Sequence, residues 1–148
     1  SKGWFVGCFD VDNDALQDLG KTLGDRCYTA YLDVRDKAAF DTALALFAEQ
    51  TDGRLDLMFN NAGITVGGYF DEMPFDKIMD IVNINFIGVL NGTYAAIPFL
   101  KQTENSLCFT TSSSAAIFGS PGMAVYGATK YAIKGFQGRF KIKKSANR

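Results

Sequence analysis

The sequence predicts an α/β fold, a Rossmann-like doubly wound parallel sheet with helices on both faces in three layers. Two observations predict it. Short apolar runs of strand length alternate with longer segments of helical period, the mark of successive βα units. The composition, 47% hydrophobic and 21% charged over 148 residues, is that of one globular domain.

Taken in order, residues 4–9 form the first apolar run and predict a strand. Asp12, Asn13 and Asp14 then offer cap-type side chains before a helix over 14–19. Residues 27–32 predict the second strand. Asp36 is the expected N-cap of the next helix, whose buried face is Ala39, Phe40, Ala43, Leu44 and Phe47, and Thr51, Asp52 and Gly53 end it. The third strand is expected over 55–60, followed by a Gly-rich loop. A long helix from 74 to 100 starts with Pro74 in its first turn and repeats Ile78, Ile81, Val82 and Asn85 at helical spacing. Residues 106–111 predict the fourth strand, and a loop with Gly119, Pro121 and Gly122 leads to a last helix over about 125–136.

Bulk properties narrow the function. A net charge of -1, with no long run of like charge before Gly138, argues against a surface built for nucleic acid or anionic membrane. Cys8, Cys27 and Cys108 each lie in an apolar run of strand character, and an odd number so placed points to free thiols in a reducing compartment. Residues 1–4 do not begin a signal peptide, no stretch is read as long enough to span a bilayer, and a cytoplasmic protein is expected. Without histidine, and without thiols or carboxylates at ligand spacing, no metal site is expected. Chemistry then falls to hydroxyls, amines and a cofactor.

Tyr126 and Lys130 are four residues apart and share a helix face. An ammonium beside a phenol favours the phenolate, which makes a tyrosine able to exchange protons near neutrality. Roughly one chain of this length in four would carry Tyr-x-x-x-Lys by chance, so context matters. Thr110, Thr111, Ser112, Ser113 and Ser114 put hydroxyls at the carboxyl end of a strand, where ligands bind in open α/β sheets. Asn60-Asn61-Ala62-Gly63 stands at the end of another, with amides to hold neighbouring loops and a glycine to let a cofactor approach the backbone. Asp10 closes the first strand, where a carboxylate can bind the adenosine ribose hydroxyls and repel a 2′-phosphate, and no Arg or Lys between residues 3 and 19 offsets it. NAD is therefore expected over NADP.

In order and spacing, these segments resemble the short-chain dehydrogenase/reductase family. Asn60-Asn61-Ala62-Gly63, the hydroxyl cluster ending at Ser113, and Tyr126-Gly127-Ala128-Thr129-Lys130 carry the resemblance, with Ser113 preceding Tyr126 by 13 residues. Asp33-Val34 resembles the family's adenine-side contact, and Asn85-Phe86-Ile87-Gly88 the segment with its catalytic asparagine. The resemblance covers roughly residues 3–136. It implies that Tyr126 is the general acid/base, that Lys130 assists it and holds the nicotinamide ribose, and that Ser113 hydrogen-bonds the reacting oxygen. Ser112 and Ser114 are second choices for the serine. Asn85 would position a water in the proton relay, and Asp10, Asp33, Val34, Asn60, Ala62 and Gly63 would join Tyr126 and Lys130 in binding the cofactor. The implied reaction is hydride transfer between a nicotinamide and a small-molecule alcohol or carbonyl substrate. Alternatives are a nucleotide-binding protein without turnover and, behind it, a nucleotide-sugar epimerase or dehydratase. Pairing through the long and last helices, as a homodimer or homotetramer, is implied as well.

Two parts of the family pattern are missing, one at each end; after the last helix the family continues into further strands and a substrate-covering segment that are not in this sequence. The family's opening strand and Thr-Gly-x-x-x-Gly-x-Gly turn, which hold the pyrophosphate, are not in this sequence, and Gly67-Gly68 lacks the position and spacing to replace them. Residues 1–138 are thus read as a partial cofactor-binding and catalytic core, and 139–148 as a basic tail without assigned function. In the family that opening strand lies between the first and third strands predicted here. Its loss leaves two strand edges unpaired, at about 1–3 kcal/mol per buried group without a partner. The sequence is expected to be part of a longer protein.

Overall fold

The computed structural model describes residues 3–138 and Lys141, so the basic tail, apart from Lys141, lies outside the described residues. The chain runs β1 (Val6–Asp10), α1 (Asn13–Leu23), β2 (Cys27–Tyr31), α2 (Lys37–Glu49), β3 (Leu57–Asn60), α3 (Phe75–Val82), α4 (Gly88–Gln102), β4 (Leu107–Thr110) and α5 (Ala124–Gln137). This is the expected alternation, with all four strands parallel to their partners.

The caps work as the side chains suggest. Asp12 accepts the Ala15 N–H at 2.9 Å and starts α1, which runs to Leu23, past the expected end at residue 19. Asp36 accepts from the Ala39 N–H at 2.9 Å and starts α2. Pro74 is the N-cap of α3 rather than a residue of its first turn. The expected long helix is continuous but not uniform: α3 passes into a five-residue π-helical segment, Asn83–Ile87, and then into α4. A π segment widens the helix by one residue per turn and is frequent at functional sites.

From Phe75 to Gln102 this helix is 28 residues long with a mean hydropathy of 1.2 in its most apolar window, enough by length and composition to cross a bilayer. The expectation that no stretch approaches that length is therefore corrected. The apolarity has a use inside the fold: Ile81, Ala96 and Leu100 are fully buried, and 44% of that window is covered by the rest of the protein.

The sheet is interrupted. β1 pairs with β2, Val6 opposite Cys27 and Asp10 opposite Tyr31. β3 pairs with β4, Leu57 opposite Leu107 and Asn60 opposite Thr110. β1 and β3 do not pair with each other, and a cleft of about 1040 Å³ lies between them, lined by both strands and floored by Phe40, Leu44 and Phe47 of α2. Among the described residues the main connection is the core beneath. Phe47 stacks on Phe5 with centroids 5.8 Å apart and meets Phe9 and Tyr28 of the first pair at 6.4 and 6.5 Å. Phe40, Leu44, Met58 and Leu100 carry the same core under the second pair.

The period-2 pattern of β3 turns Met58 and Asn60 inward and leaves Leu57 and Phe59 outward. On that outer face Phe59 packs edge-on against Phe109 at 5.1 Å, and both rings stay about half exposed. Such a patch on a strand pair is a surface made to be covered.

Gly92 sets how closely α4 rides on β3. A Cβ at this buried position would stand 2.6 Å from the Phe40 ring and 3.0 Å from Met58 Cε, and would collide with the Asn60 amide oxygen. Gly92→Ala is expected to lower stability by about 1–3 kcal/mol, read as a fall in the urea midpoint. A midpoint unchanged from the parent protein would contradict this packing.

Candidate functional site

The candidate site is built at the carboxyl ends of β3 and β4, where α5 crosses. Lys130 and Tyr126 lie on one face of α5, with the Lys130 nitrogen 5.7 Å from the centre of the Tyr126 ring. Lys130 is only 5% exposed. Its ammonium donates to the Thr111 carbonyl at 3.0 Å, its one hydrogen bond among the described residues. An ammonium has three N–H groups, so two remain for a ligand. A buried cation with donors to spare is a group placed for a partner.

Asn85 fixes the loop above it. The side chain is fully buried in the π segment, where its carbonyl accepts the Ile64 N–H at 2.8 Å. Its amide donates to the Ile64 carbonyl at 2.8 Å and to the Thr129 hydroxyl at 3.3 Å. Thr129 in turn donates to the Tyr126 carbonyl at 2.7 Å. The Asn85 amide group is thus committed to joining three elements, and a water could use only its remaining carbonyl lone pair or its backbone.

Gly63 stands in front of this pair. A Cβ there would lie 3.3 Å from the Asn85 carbonyl oxygen and 3.7 Å from the Lys130 nitrogen. The residue type keeps open the space that faces the ammonium. Ala62 and Gly63 are exposed, as is Asn61, which accepts from the Thr111 hydroxyl at 3.0 Å. Asn60 faces the other way. Its amide donates to Thr93 at 3.1 Å and to Thr110 at 3.4 Å, tying β3 to α4 and β4 in a buried cluster with Cys108. Burial raises the Cys108 thiol above its ordinary range, and Cys8 is raised likewise.

Ser113 begins the short 3₁₀ turn Ser114–Ala116, its hydroxyl oxygen accepting the Ala115 N–H at 3.2 Å. The hydroxyl is held in place and still has its proton to donate. Ser112 and Ser114 are exposed. The loops over the site meet through the Gly68 N–H and the Gly122 carbonyl at 3.0 Å and through Thr65 and Met123.

At the other sheet the structure places Asp10 at the exposed end of β1. One of its oxygens accepts the Val11 and Asp12 N–H groups at 2.8 and 3.1 Å, which orients the other outward. Asp33 is held by Arg35, whose guanidinium reaches it at 2.6 Å. The hydrogen bonds from Arg35 hold the Asp33 carboxyl below its ordinary value. It therefore keeps its charge to lower pH than an ordinary aspartate does. Asp10, Val34, Asn60 and Ala62 border the cleft between β1 and β3, whereas Ser113, Tyr126 and Lys130 do not. Two side chains that take part went unnamed in the sequence, Arg35 and Asn91. The Asp33-x-Arg35 spacing could have flagged the first; Asn91 acts on backbone carbonyls that need the fold to meet it.

Asn85→Ala removes both partners of the Ile64 backbone. It is expected to destabilise the protein by about 1–3 kcal/mol and to speed exchange of the Ile64 amide hydrogen. Protection of that amide equal to the parent's would contradict the assignment.

Comparison with known proteins shows the family and the fold. The family model described as short chain dehydrogenase matches residues 1–142. SadH of Mycobacterium tuberculosis is 33% identical over 134 residues, 86% of this chain and 47% of that protein. Oxidoreductase UcpA of Salmonella typhimurium is 33% identical over 127 residues, 83% of this chain and 48% of its own length. The chain thus spans about half the length of the curated relatives it matches. Among solved structures, serine dehydrogenase from Escherichia coli superposes with a TM-score of 0.85 at 29% identity, covering 91% of this chain and 62% of that one. A short chain dehydrogenase/reductase from Burkholderia phymatum in complex with NAD gives 0.82 at 28% identity, covering 89% and 48%. With its parallel strands, its Tyr-x-x-x-Lys helix and a family match across nearly all of its residues, the chain belongs to the short chain dehydrogenase family.

Proposed function

We propose that the protein is an NAD-dependent oxidoreductase interconverting a secondary alcohol and a ketone. The observation that carries the reading is the buried Lys130 ammonium, one helical turn from Tyr126, with two donors unspent and Gly63 keeping the space before it open. These residues fit a nicotinamide ribose. When bound, the cofactor supplies or accepts the hydride.

The chain's own residues then handle position and protons. Tyr126 exchanges a proton with the substrate oxygen as general acid/base, and Ser113, held by the Ala115 N–H, donates a hydrogen bond to that oxygen. Lys130 holds the ribose hydroxyls beside its neighbour Tyr126. Asn85 orients a water through the one carbonyl lone pair it has left. At the far end Asp33 and Val34 take the adenine, with Asn60 holding the Asn61-Ala62-Gly63 turn in register from beneath. Asp10 takes the adenosine ribose on its outward oxygen, and its charge disfavours a 2′-phosphate, which is the argument for NAD over NADP. A solved relative is in complex with NAD, and a closed form of serine dehydrogenase is complexed with NADP+, which supports a nicotinamide cofactor in either form.

A groove of about 350 Å³ between α3, the π segment and α5, lined by Val82, Phe86, Val125 and Ala128, is the face on which two copies would pair under this reading. The alternative reading is nucleotide binding without turnover, in which Lys130 and Gly63 hold the ribose and Tyr126 exchanges no proton.

Tyr126→Phe decides between them. Turnover of NAD with a panel of secondary alcohols should fall by at least about 100-fold while NAD binding stays within about twofold of the parent. Undiminished turnover in the variant would contradict the proposed role of Tyr126. A parent protein that binds NAD and turns over none of the panel would favour the second reading.

A further inference from the structure

The segment Asp33–Val34–Arg35 leaves β2 and reaches the N-cap of α2, and α4 grips it from the side. The Asn91 side-chain amide donates to the Val34 carbonyl at 2.9 Å and to the Arg35 carbonyl at 3.3 Å. Three residues earlier on the same helix face, Gly88 receives the Val34 side chain. A Cβ there would stand 2.7 Å from Val34 Cγ2 and 3.0 Å from its Cβ. The outer end is tied to α3 by Arg35, whose guanidinium reaches Asp80 at 3.1 Å while also holding Asp33. The segment is therefore fixed at backbone, side chain and charge, by residues that belong to no strand.

These three ties differ in strength. The Arg35 pairs are partly exposed, and such pairs contribute little. The Gly88 contact is permissive: it makes room and does not pull. Asn91 is half-buried and supplies donors to two successive carbonyls that have left the strand ladder, which makes it the tie that sets direction.

We propose that Asn91 is a positioning residue for adenine recognition: by holding the Val34 and Arg35 carbonyls against the Gly88 face of α4, it aims Asp33 and Val34 at the adenine. The inference rests on the proposed cofactor reading. Among the described residues the Asn91 side chain hydrogen-bonds the Val34 and Arg35 carbonyls and no group beside Lys130, which places its influence on the adenine half of the ligand. A small displacement of a recognition segment weakens binding steeply, because hydrogen bonds fail with modest changes of distance and angle.

The test measures binding of two fragments, AMP and nicotinamide mononucleotide, by calorimetry or ligand-observed NMR. The variants are Asn91→Leu, Asn91→Asp and Asp33→Asn, with folding checked by circular dichroism. Asn91→Leu should weaken AMP about tenfold and leave nicotinamide mononucleotide within about twofold. Asn91→Asp, which keeps the size and removes the donor, should do the same and serves if the leucine variant does not fold. AMP weakened by Asp33→Asn but by neither Asn91 variant would overturn the inference and leave the cofactor reading standing. AMP unaffected by all three, or unbound by the parent protein, would overturn the cofactor reading and the inference with it. Equal weakening of both fragments, or failure of both Asn91 variants to fold, would make Asn91 a general structural residue and overturn the inference.

Discussion

The candidate site depends on one buried amide. Asn85 is sealed inside a helix that departs from α geometry at that point, and its polar atoms are turned to Ile64 and Thr129 rather than to its own helix. A buried amide left without partners costs more than the bonds it makes contribute, so this geometry is held firmly. From it follow the course of the loop after β3, the place of Gly63 before Lys130, and the seat of α5 against the long helix. Asn85 acts on the site chiefly through what it holds.

The two strand pairs carry different halves of the proposed cofactor-binding edge. β1 and β2 bring Asp10 and Asp33, and β3 and β4 bring the turn at Asn60 and the hydroxyls near Ser113. Between them the backbone edges of β1 and β3 face a cleft, and the aromatic core around Phe47 joins the pairs from below. Exposed edges and the half-exposed rings of Phe59 and Phe109 are surfaces that proteins ordinarily cover. This agrees with a chain that spans about half the length of its curated relatives.

Much of this was legible in the sequence, for physical reasons. Buried parallel strands read as short apolar runs, and Asp12 and Asp36 declared helix starts because a carboxylate before an apolar period has few other uses. Tyr126 and Lys130 were legible because helical periodicity alone puts them on one face. Strand bounds were misread by a residue or two: β1 and β3 were started early because apolar character begins before the first ladder bond at Phe5 and Leu55, and β1 was ended at Phe9 although it runs to Asp10. The long helix was placed at residues 74–100, but that its most apolar window is long and apolar enough to cross a bilayer was missed; the uncharged amides Asn83, Asn85 and Asn91 do not exclude it by composition. The inward turn of Asn60 and the grip of Asn91 were not legible. Both rest on partners roughly 30 to 60 residues away, which only the fold brings together.

The most direct test of the account is a crystal structure of the protein grown with NAD. The account predicts the nicotinamide ribose hydroxyls on the Lys130 ammonium, facing Gly63, with the adenine against Asp33 and Val34 and its ribose on Asp10. A cofactor lying in the reverse direction, or seated with Lys130 still bonded to Thr111 alone, would contradict it.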